Sequence, residues 1–372
     1  LLVYIYRPDY DFGEFTLEDS VYCQGIMESR GIYNQHAKVQ ASGNFFAMPI
    51  LDGIVDDMSV FIEGKYISIA DYGSSQGKNS LLPIGKIIHS IRSRFPSHPI
   101  FVMHTDQINN DYSTLFNVLE NDSESYTSHK DVFYCAIGRS FYSPILPSNS
   151  ILLGWSAYAA MWLSYVSINQ WDHIVPYKTS SNIQRQLAQQ GEQDWRRFLA
   201  ARATELQVGG KLVLLLAGID NENRSGFDVI IDNAAQVLDE MVIDGYFSSD
   251  ERAVMKIATY MRRSEEVLAP FTHQISYCGL RVVHFSVDVL SDPAWQHYLA
   301  HNDVKEMAAQ QVSFFRSTFM PSLLSALEIT YSAIALQNIT RIFEEKLTER
   351  CASCPVPMEQ RAQILVLEKI ES

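Results

Sequence analysis

Short, nearly continuous apolar segments that end in a polar or acidic residue constrain the fold of this chain more than any other feature. Segments 65–71 and 99–106 end in Asp71 and Asp106, and two further segments cover 131–137 and 210–217. Between the first two, apolar residues at helical spacing predict a helix over 79–95. Buried strands that alternate with helices are typical of a parallel sheet covered on both faces. We therefore predict an α/β fold with a binding crevice at the carboxyl ends of the strands.

The remainder of the chain is predicted to be mostly helical, apart from two segments. Two apolar runs around Cys278-Gly279, within 273–288, favour a hairpin at the edge of the sheet. The polar, Gln-rich segment 172–193 is predicted to be a loop. Residues 1–24 show no clear period and are predicted to be an N-terminal extension. The segments with helical spacing are 152–165, 194–207, 226–245, 249–261 and 303–347.

Charge and cysteine content limit the classes of partner and compartment. The chain has 29 Lys and Arg against 43 Asp and Glu, a formal net charge of −14, which argues against binding to nucleic acid or to an anionic membrane surface. Five scattered cysteines favour a reducing compartment, and Cys351 and Cys354 lack the second ligand pair that a zinc site needs. The sequence shows no apolar run of 18 residues and no signal-peptide pattern. We therefore predict a cytoplasmic protein without a membrane span.

The loop that follows the first predicted strand reads Asp71-Tyr-Gly-Ser-Ser-Gln-Gly-Lys-Asn79 and is typical of a nucleoside-binding loop. Its two glycines allow a ligand to approach the backbone closely, and its spacing matches neither of the usual phosphate-binding motifs. Asp106 ends the next strand, where a carboxylate can accept hydrogen bonds from ribose hydroxyls. Together the two acids favour S-adenosylmethionine over a dinucleotide, whereas the loop by itself is equally consistent with a solvated turn.

Five blocks of sequence, found in order, resemble those of one known family. The blocks are Tyr33-Asn-Gln-His-Ala-Lys-Val-Gln40, Ala70-Asp-Tyr-Gly-Ser-Ser-Gln-Gly-Lys-Asn79, Asp106-Gln-Ile-Asn-Asn-Asp-Tyr-Ser-Thr-Leu-Phe116, Gly138-Arg-Ser-Phe-Tyr142 with Ser156-Ala-Tyr-Ala-Ala-Met-Trp-Leu-Ser164, and Phe198-Leu-Ala-Ala-Arg-Ala-Thr-Glu-Leu206 with Gly209-Gly-Lys-Leu-Val-Leu214. They resemble the salicylic acid, benzoic acid and theobromine carboxyl methyltransferase (SABATH) family. The resemblance runs from about residue 27 to about residue 345.

This resemblance implies a fold, a reaction and a set of site residues. The implied fold is a Rossmann-like class I methyltransferase sheet with an α-helical cap, often in a homodimer. The implied reaction converts a small aromatic, indolic or aliphatic carboxylic acid to its methyl ester and S-adenosylmethionine to S-adenosylhomocysteine, without a metal ion. The residues implied to bind the cofactor are Tyr33, Asp71, Asn79, Asp106, Gln107, Ser140 and Phe141. Those implied to bind the substrate are Gln40, Tyr158, Met161, Trp162, Ile231, Tyr260 and Phe315, with Gln40 and Trp162 holding the carboxylate.

The resemblance also divides the chain into parts. After the extension at 1–24, the cofactor-binding core is predicted over 25–165, 194–220 and 273–300. The helical cap is predicted over 221–272 and 301–350, and 166–193 is predicted to be a mobile loop or part of the cap. Two departures from the family pattern stand at the cofactor site, since His36-Ala37 replaces an Asn-Ser pair and Gln107 replaces a common leucine.

Other interpretations of these residues remain open. Tyr158 and Trp162 are four residues apart in an apolar segment and could be ordinary helix core. A methyltransferase of the same fold could act on a nitrogen atom or another oxygen, and a protein of this fold could bind a small molecule without catalysis. Gln40 and Trp162 together favour a carboxylate, and the presence of both Asp71 and Asp106 favours an enzyme. His297 and His301 lack a third ligand for a metal site.

Overall fold

A computed structural model describes residues 38–56, 66–166, 171–272, 275–325, 327–328 and 330–371, without the side chains of 38–42. These residues form a seven-stranded sheet in the order β3-β2-β1-β4-β5-β7-β6. The first five strands in this order are parallel, and β7 and β6 complete the sheet in antiparallel pairing. The strands are β1 (Ile67–Tyr72), β2 (Ile100–Asp106), β3 (Val132–Gly138), β4 (Ile151–Ala157), β5 (Leu206–Ala217), β6 (Leu280–Val289) and β7 (Arg361–Lys369).

Helices cover both faces of this sheet, and further helices follow β5. The helices are α1 (Lys38–Asp52), α2 (Lys78–Arg94), α3 (Tyr112–Asn121), α4 (Ser181–Glu205), α5 (Asp228–Ile243), α6 (Ser249–Val254), α7 (Ser264–Leu268), α8 (Pro293–His301), α9 (Val304–Leu324) and α10 (Ala333–Ser353). No helix within the described ranges is long and apolar enough to cross a membrane.

The central strands β1 and β4 are buried at nearly every position because both faces of the sheet are covered. Side chains alternate between the faces along a strand, so Val213 of β5 belongs to one core cluster and Leu212 to the other. The first cluster includes Ile84 of α2, and the second includes Phe198 of α4. The prediction of a parallel α/β sheet is confirmed, and the four predicted strands and the helix over 79–95 match β1, β2, β3, β5 and α2.

The predicted helix over 152–165 is wrong. Ile151–Ala157 forms β4, which pairs with β1 on one side and β5 on the other, and a loop follows it. A short apolar run has no clear period, so its pattern alone does not separate a buried strand from a buried helix. Tyr158 and Trp162 therefore lie in the loop after β4 rather than on one face of a helix.

Four other expectations are corrected in the second half of the chain. Segment 172–193, part of the predicted loop at 166–193, is helical from Ser181, because glutamine favours helices and α4 buries one apolar side. The helix predicted over 249–261 ends at Val254, and that over 303–347 is two helices. Within the predicted hairpin at 273–288 a tight turn is present at Cys278-Gly279, where Tyr277 and Leu280 form an isolated antiparallel bridge, but the long partner of β6 is β7, which extends the sheet beyond residue 350.

Candidate active site

The loop after β1 and the end of β2 form the polar end of a cavity. The Asp106 carboxylate accepts hydrogen bonds from the backbone N–H of Ser75, at 2.6 Å, and of Gln107, at 2.7 Å. The N–H groups of Gly73 and Ser74 both donate to the carbonyl of Thr105. The loop is thus tied to the end of the neighbouring strand, and the carboxylate of Asp106 is oriented before any ligand binds.

Gly73 is required by its backbone conformation and by its neighbour. Its φ is +88°, and a Cβ atom there would lie 2.2 Å from the Cβ of Ala159. Any larger side chain would therefore separate the loop after β1 from the loop after β4. The glycine keeps these two loops in contact where both line the cavity.

Burial raises the pKa of Asp106 to about 6, although the two backbone N–H donors oppose the shift. The nearby Asp71 carboxylate raises this pKa further. Desolvation disfavours a charged carboxylate, so this group gains much from a ligand that donates hydrogen bonds to it. Ribose hydroxyls are donors of that kind.

Asp71 occupies a different environment from Asp106. Its Oδ2 lies 2.8 Å from Nδ1 of His104, whose Nε2 lies 2.6 Å from the hydroxyl of Tyr126, and all three residues are buried. A carboxylate only accepts hydrogen bonds, so Nδ1 of His104 donates to Asp71, and Nε2 makes the contact with the hydroxyl of Tyr126. Asp71 does not line the cavity, and its hydrogen bond to His104 holds it beneath the loop after β1.

Two further residues with a predicted cofactor role lie near the cavity without lining it. Asn79 is in the first turn of α2, and its carbonyl accepts a hydrogen bond of 2.8 Å from Asn44 of α1. Ser140 is exposed in the loop after β3, in which Phe141 reaches the cavity. Tyr33 lies outside the described residues.

The cavity runs from Asp106 to an apolar end formed by the loop after β4 and two of the later helices. The space between its walls is partly open to solvent. Six of the predicted site residues line it, namely Asp106, Gln107, Phe141, Tyr158, Met161 and Trp162.

Backbone hydrogen bonds hold the loop after β4 against the segment that precedes α7. The carbonyl of Met161 accepts from the N–H of Tyr260 at 2.7 Å, and Trp162 pairs with Thr259 in an isolated β-bridge. Tyr158 adopts a left-handed conformation, with φ of +54°, which turns the chain as it leaves β4. Within the described part of the chain, the indole N–H of Trp162 has no hydrogen-bond partner, and it is available to a ligand.

Three predicted substrate contacts do not line this cavity. Ile231 and Phe315 are buried in the core, and Phe315 packs against Phe343 with ring centroids 5.6 Å apart. Tyr260 lies in an adjacent cavity, where its hydroxyl donates to Glu266 at 2.5 Å. The resemblance places Ile231 on α5 and Phe315 on α9, but it does not determine which face of each helix meets the ligand.

The apolar end of the cavity is lined instead by residues that the sequence reasoning missed. Phe314 stacks on Phe227 with ring centroids 5.3 Å apart, and its edge meets Phe319 at 5.8 Å. Met261 separates this cavity from the adjacent one that Tyr260 lines. Phe314 directly precedes the predicted Phe315, so the helical phase of α9 was the signal that could have identified it.

Gln40 is part of α1, but its side chain is outside the described part of the chain. The backbone of Gln40 lies one helical turn before Asn44, which bonds to the start of α2. At Gly43 the same helix approaches Tyr158 so closely that a Cβ would lie 1.9 Å from the tyrosine oxygen. The helix that carries Gln40 therefore passes beside the loop after β4.

A family model described as SAM dependent carboxyl methyltransferase matches residues 24–365. The chain belongs to this family. S-adenosylmethionine is the methyl donor of these carboxyl methyltransferases, and the residues present fit it. Asp106 offers an oriented carboxylate, Phe141 offers an apolar contact, and Gly73 lets the loops after β1 and β4 meet at the wall of the cavity.

Two methyltransferase relatives and one solved structure illustrate the similarity. The chain is 26% identical over 309 residues to S-adenosyl-L-methionine:benzoic acid/salicylic acid carboxyl methyltransferase 3 of Petunia hybrida, covering 79% of this chain and 84% of that one. It is 27% identical over 246 residues to Methyltransferase LUC1 of Fusarium sp, covering 65% of each. Loganic acid methyltransferase with SAH shares the fold, with a TM-score of 0.73, 21% identity and coverage of 93% of this chain and 99% of that one.

Proposed function

We propose that this protein transfers the methyl group of S-adenosylmethionine to the carboxylate of a small apolar acid. One observation carries the proposal: a single cavity joins the polar end at Asp106 to an apolar end where the indole N–H of Trp162 lacks a partner within the described residues. S-adenosylmethionine supplies a methyl group on a sulfonium sulfur, which a carboxylate oxygen accepts to leave a methyl ester and S-adenosylhomocysteine.

The polar end of the cavity binds the donor in this proposal. Asp106 accepts hydrogen bonds from the ribose hydroxyls, and Phe141 contributes an apolar surface beside it. Asp71, which lies beneath the loop after β1, acts at the methionine end through water, and its orientation depends on His104. The remaining proposed contacts with the donor are Tyr33, Asn79, Gln107 and Ser140.

The apolar end of the cavity binds the acid. The N–H groups of Trp162 and Gln40 donate to the two carboxylate oxygens, and Tyr158 and Met161 confine the acid beside the donor. A carboxylic acid with a pKa of about 4 is already ionised at neutral pH, so no general base is needed. Alignment of the two reactants and exclusion of water then provide the catalysis.

The chemistry of the walls supports an acid with a flat apolar body. Phe227, Phe314 and Phe319 form an aromatic wall around this end of the cavity. Aromatic side chains favour stacked or edge contacts with other rings. Benzoic and salicylic acids, which the name of the Petunia relative specifies, are therefore the first candidates, followed by indolic and aliphatic acids.

A panel assay tests the reaction. The protein is incubated with methyl-labelled S-adenosylmethionine and aromatic, indolic and aliphatic acids, and labelled ester is extracted and quantified. Heterocyclic amines and phenols in the same panel represent methylation at nitrogen or at another oxygen. Label transferred only to those compounds would replace the carboxylate assignment by the rival one, and binding of the donor without transfer would indicate a non-catalytic protein.

Two tryptophan variants test the carboxylate contact. Trp162→Phe retains an apolar ring but removes the donor, and loss of a hydrogen bond to a charged group lowers kcat/KM about 10- to 100-fold. The affinity for S-adenosylhomocysteine should stay unchanged. Trp171→Phe is the matched control, because the buried indole N–H of Trp171 also has no partner among the residues that the structure describes, and it lies outside the cavity. Normal turnover in both Trp162→Phe and Gln40→Ala would refute the assignment.

Further expectations concern the state of the protein rather than its reaction. We propose a homodimer, as the family resemblance implies, located in the cytoplasm, where free cysteines persist; four of them are free thiols among the described residues. We also propose that no metal ion takes part, because the nucleophile is ionised and the methyl donor carries its own positive charge. Analytical ultracentrifugation and cell fractionation test the first two statements.

A further inference from the structure

Two loops that line opposite parts of the cavity are connected by one side chain. Residues 138–147, here called the cofactor loop, carry Phe141, and residues 158–163, here called the substrate loop, carry Trp162. The hydroxyl of Tyr142 in the cofactor loop donates a hydrogen bond to the backbone carbonyl of Trp162. Both ends of this connection line the cavity, since Phe141 directly precedes Tyr142 and Trp162 supplies the carbonyl.

The cofactor loop is itself firmly anchored to a buried ion pair. Arg202 and Glu205 are both fully buried in α4 and bond to one another at 2.9 Å. Arg202 donates to the carbonyl of Phe141 at 2.7 Å and to that of Ser143 at 3.2 Å. A buried, charge-assisted hydrogen bond is stronger than a neutral one, so the backbone on either side of Tyr142 has little freedom to move.

Glu205 holds the following part of the same loop. Its Oε1 accepts from the N–H of Ile145 at 2.6 Å and of Leu146 at 3.1 Å, and its Oε2 accepts from the hydroxyl of Tyr72 at 2.7 Å. Tyr72 is the last residue of β1, directly before the loop that faces the donor. The cofactor loop is consequently built onto the sheet as a rigid unit, with Tyr142 extending from it toward the substrate loop.

The substrate loop is held from its other side by separate groups. Arg262 donates to the carbonyl of Ala160 at 2.8 Å, and Asp194 accepts from the N–H and hydroxyl of Ser164, the residue directly after the loop, at 2.8 and 2.6 Å. These two anchors come from elements other than the cofactor loop. Among the hydrogen bonds described for the substrate loop, that of Tyr142 is the one the cofactor loop contributes.

The surroundings of Tyr142 keep its hydroxyl protonated, so that it can always donate a hydrogen bond. Its ring meets that of Phe141 edge to face, with centroids 4.9 Å apart, so a ligand that moves the Phe141 ring also presses on Tyr142. Burial and the nearby Asp194 carboxylate raise the pKa of Tyr142, and Arg262 opposes this only in part. The hydroxyl therefore remains protonated at physiological pH.

We propose that Tyr142 is a positioning residue that couples the two halves of the site, so that binding of the donor orders the substrate loop for the acid. The inference rests on the proposed function, because it assigns the two loops to the donor and to the acid. Coupling between two ligands is reciprocal, so the acid must also tighten binding of the donor by the same factor. A hydrogen bond of ordinary strength implies a factor of about five.

The experiment measures this factor with S-adenosylhomocysteine, which binds without reacting, and with the best acid from the panel. Isothermal titration gives the Kd of each ligand in the presence and absence of the other. In the wild type the coupling should be about fivefold in both directions. In Tyr142→Phe, which removes only the hydroxyl, it should fall to about one while the Kd of S-adenosylhomocysteine alone stays unchanged.

A matched variant separates a specific loss of coupling from the general effect of removing a buried tyrosine hydroxyl. Tyr177 is buried outside the main cavity, and its hydroxyl lies 2.9 Å from Oγ of Ser225. Tyr177→Phe should keep the full coupling factor of the wild type. Equal coupling in Tyr142→Phe and in the wild type, or no coupling in the wild type, would overturn the inference.

A second measurement needs neither an acid nor a variant. Hydrogen exchange of the wild type should show slower exchange at Trp162 and Leu163 when S-adenosylhomocysteine is added, because their N–H groups bond to Ala159 and Ala258 only while the substrate loop is ordered. Unchanged exchange with the ligand bound would refute the inference even if Tyr142→Phe fails to fold. A wild type that shows this protection but methylates no acid would refute only the proposed function.

Discussion

The affinity for the methyl donor should depend on pH through one group, Asp106. Its pKa of about 6 lies above the usual value for aspartate, because the carboxylate is buried beside the cavity. Only the ionised form accepts hydrogen bonds from both ribose hydroxyls. As pH falls through about 6 the carboxylate is protonated, and binding of the donor weakens.

The magnitude follows from the fraction of ionised carboxylate. With a pKa of about 6, about nine tenths of Asp106 is ionised at pH 7 and about one tenth at pH 5. The Kd of S-adenosylhomocysteine should therefore rise about tenfold between pH 7 and pH 5. The assay is isothermal titration at half-unit steps from pH 5 to pH 8 at constant ionic strength.

Loss of binding at low pH is distinct from loss of folding. Because the pKa of Asp106 is raised in the folded state, its contribution to stability is fully present below about pH 4 and is lost as pH rises through about 6. This group therefore stabilises the unliganded fold at pH 5 relative to pH 7, while the affinity for the donor changes in the opposite direction. Thermal unfolding at each pH separates the two effects.

Two variants assign the pH dependence to Asp106. Asp106→Asn cannot ionise, so its Kd should be independent of pH in this range and about 10- to 100-fold weaker than that of the wild type at pH 7. Asp111→Asn is the matched control. Asp111 lines the same cavity and caps the start of α3, and an asparagine at this position can form the same cap. A Kd that is constant in the wild type, or a slope that persists in Asp106→Asn, would refute the reasoning.

Three other outcomes are expected. Gly43→Ala places a Cβ 1.9 Å from the hydroxyl oxygen of Tyr158 and should raise the KM for the acid without changing the Kd of S-adenosylhomocysteine. The control Gly53→Ala, whose Cβ would lie 3.7 Å from its nearest neighbour, should change neither value. The same KM in both variants would contradict the close approach of α1 to Tyr158. Phe315→Ala should lower the free energy of unfolding by about 3–5 kcal/mol in urea titrations and leave the ranking of acids unchanged, while Phe314→Ala should alter that ranking, and the reverse pattern would exchange their roles. Dialysis against a chelator should leave ester formation unchanged, and recovery of a lost activity by a divalent ion would contradict the metal-free reaction.

The site residues differ in how far the sequence alone could identify them. Asp106, Phe141 and Trp162 belong to contiguous motifs, and the structure gathers them around one cavity although they follow three different strands. Parallel strands bring their carboxyl ends to one edge of the sheet, so a motif at the end of such a strand can be placed at that edge from the sequence. Ile231 and Phe315 were assigned from the family resemblance, which gives no information on which face of a helix meets the cavity.

The elements divide in a similar way. The strands β1, β2, β3 and β5 and the helix α2 follow from local patterns of apolar residues, although β3, at the edge of the sheet, is only partly buried. Over so short a length, the apolar pattern of β4 is the same as that of a buried helix. That this segment is a strand depends on its pairing with β1 and β5, which lie far away in the sequence. β7 pairs with β5 and β6, and it could not be predicted without knowing that the sheet has an open position between them.

The sequence by itself determined the α/β class, the loop after β1 and the acid at the end of β2, because these depend on short stretches of chain and on the chemistry of single side chains. The tertiary structure alone decided that Phe314 rather than Phe315 lines the cavity, that Asp71 bonds to a buried histidine, and that Tyr142 connects the two loops. These features depend on the phase of a helix and on contacts between residues distant in the chain. Packing selects among such arrangements, and no local pattern records the choice.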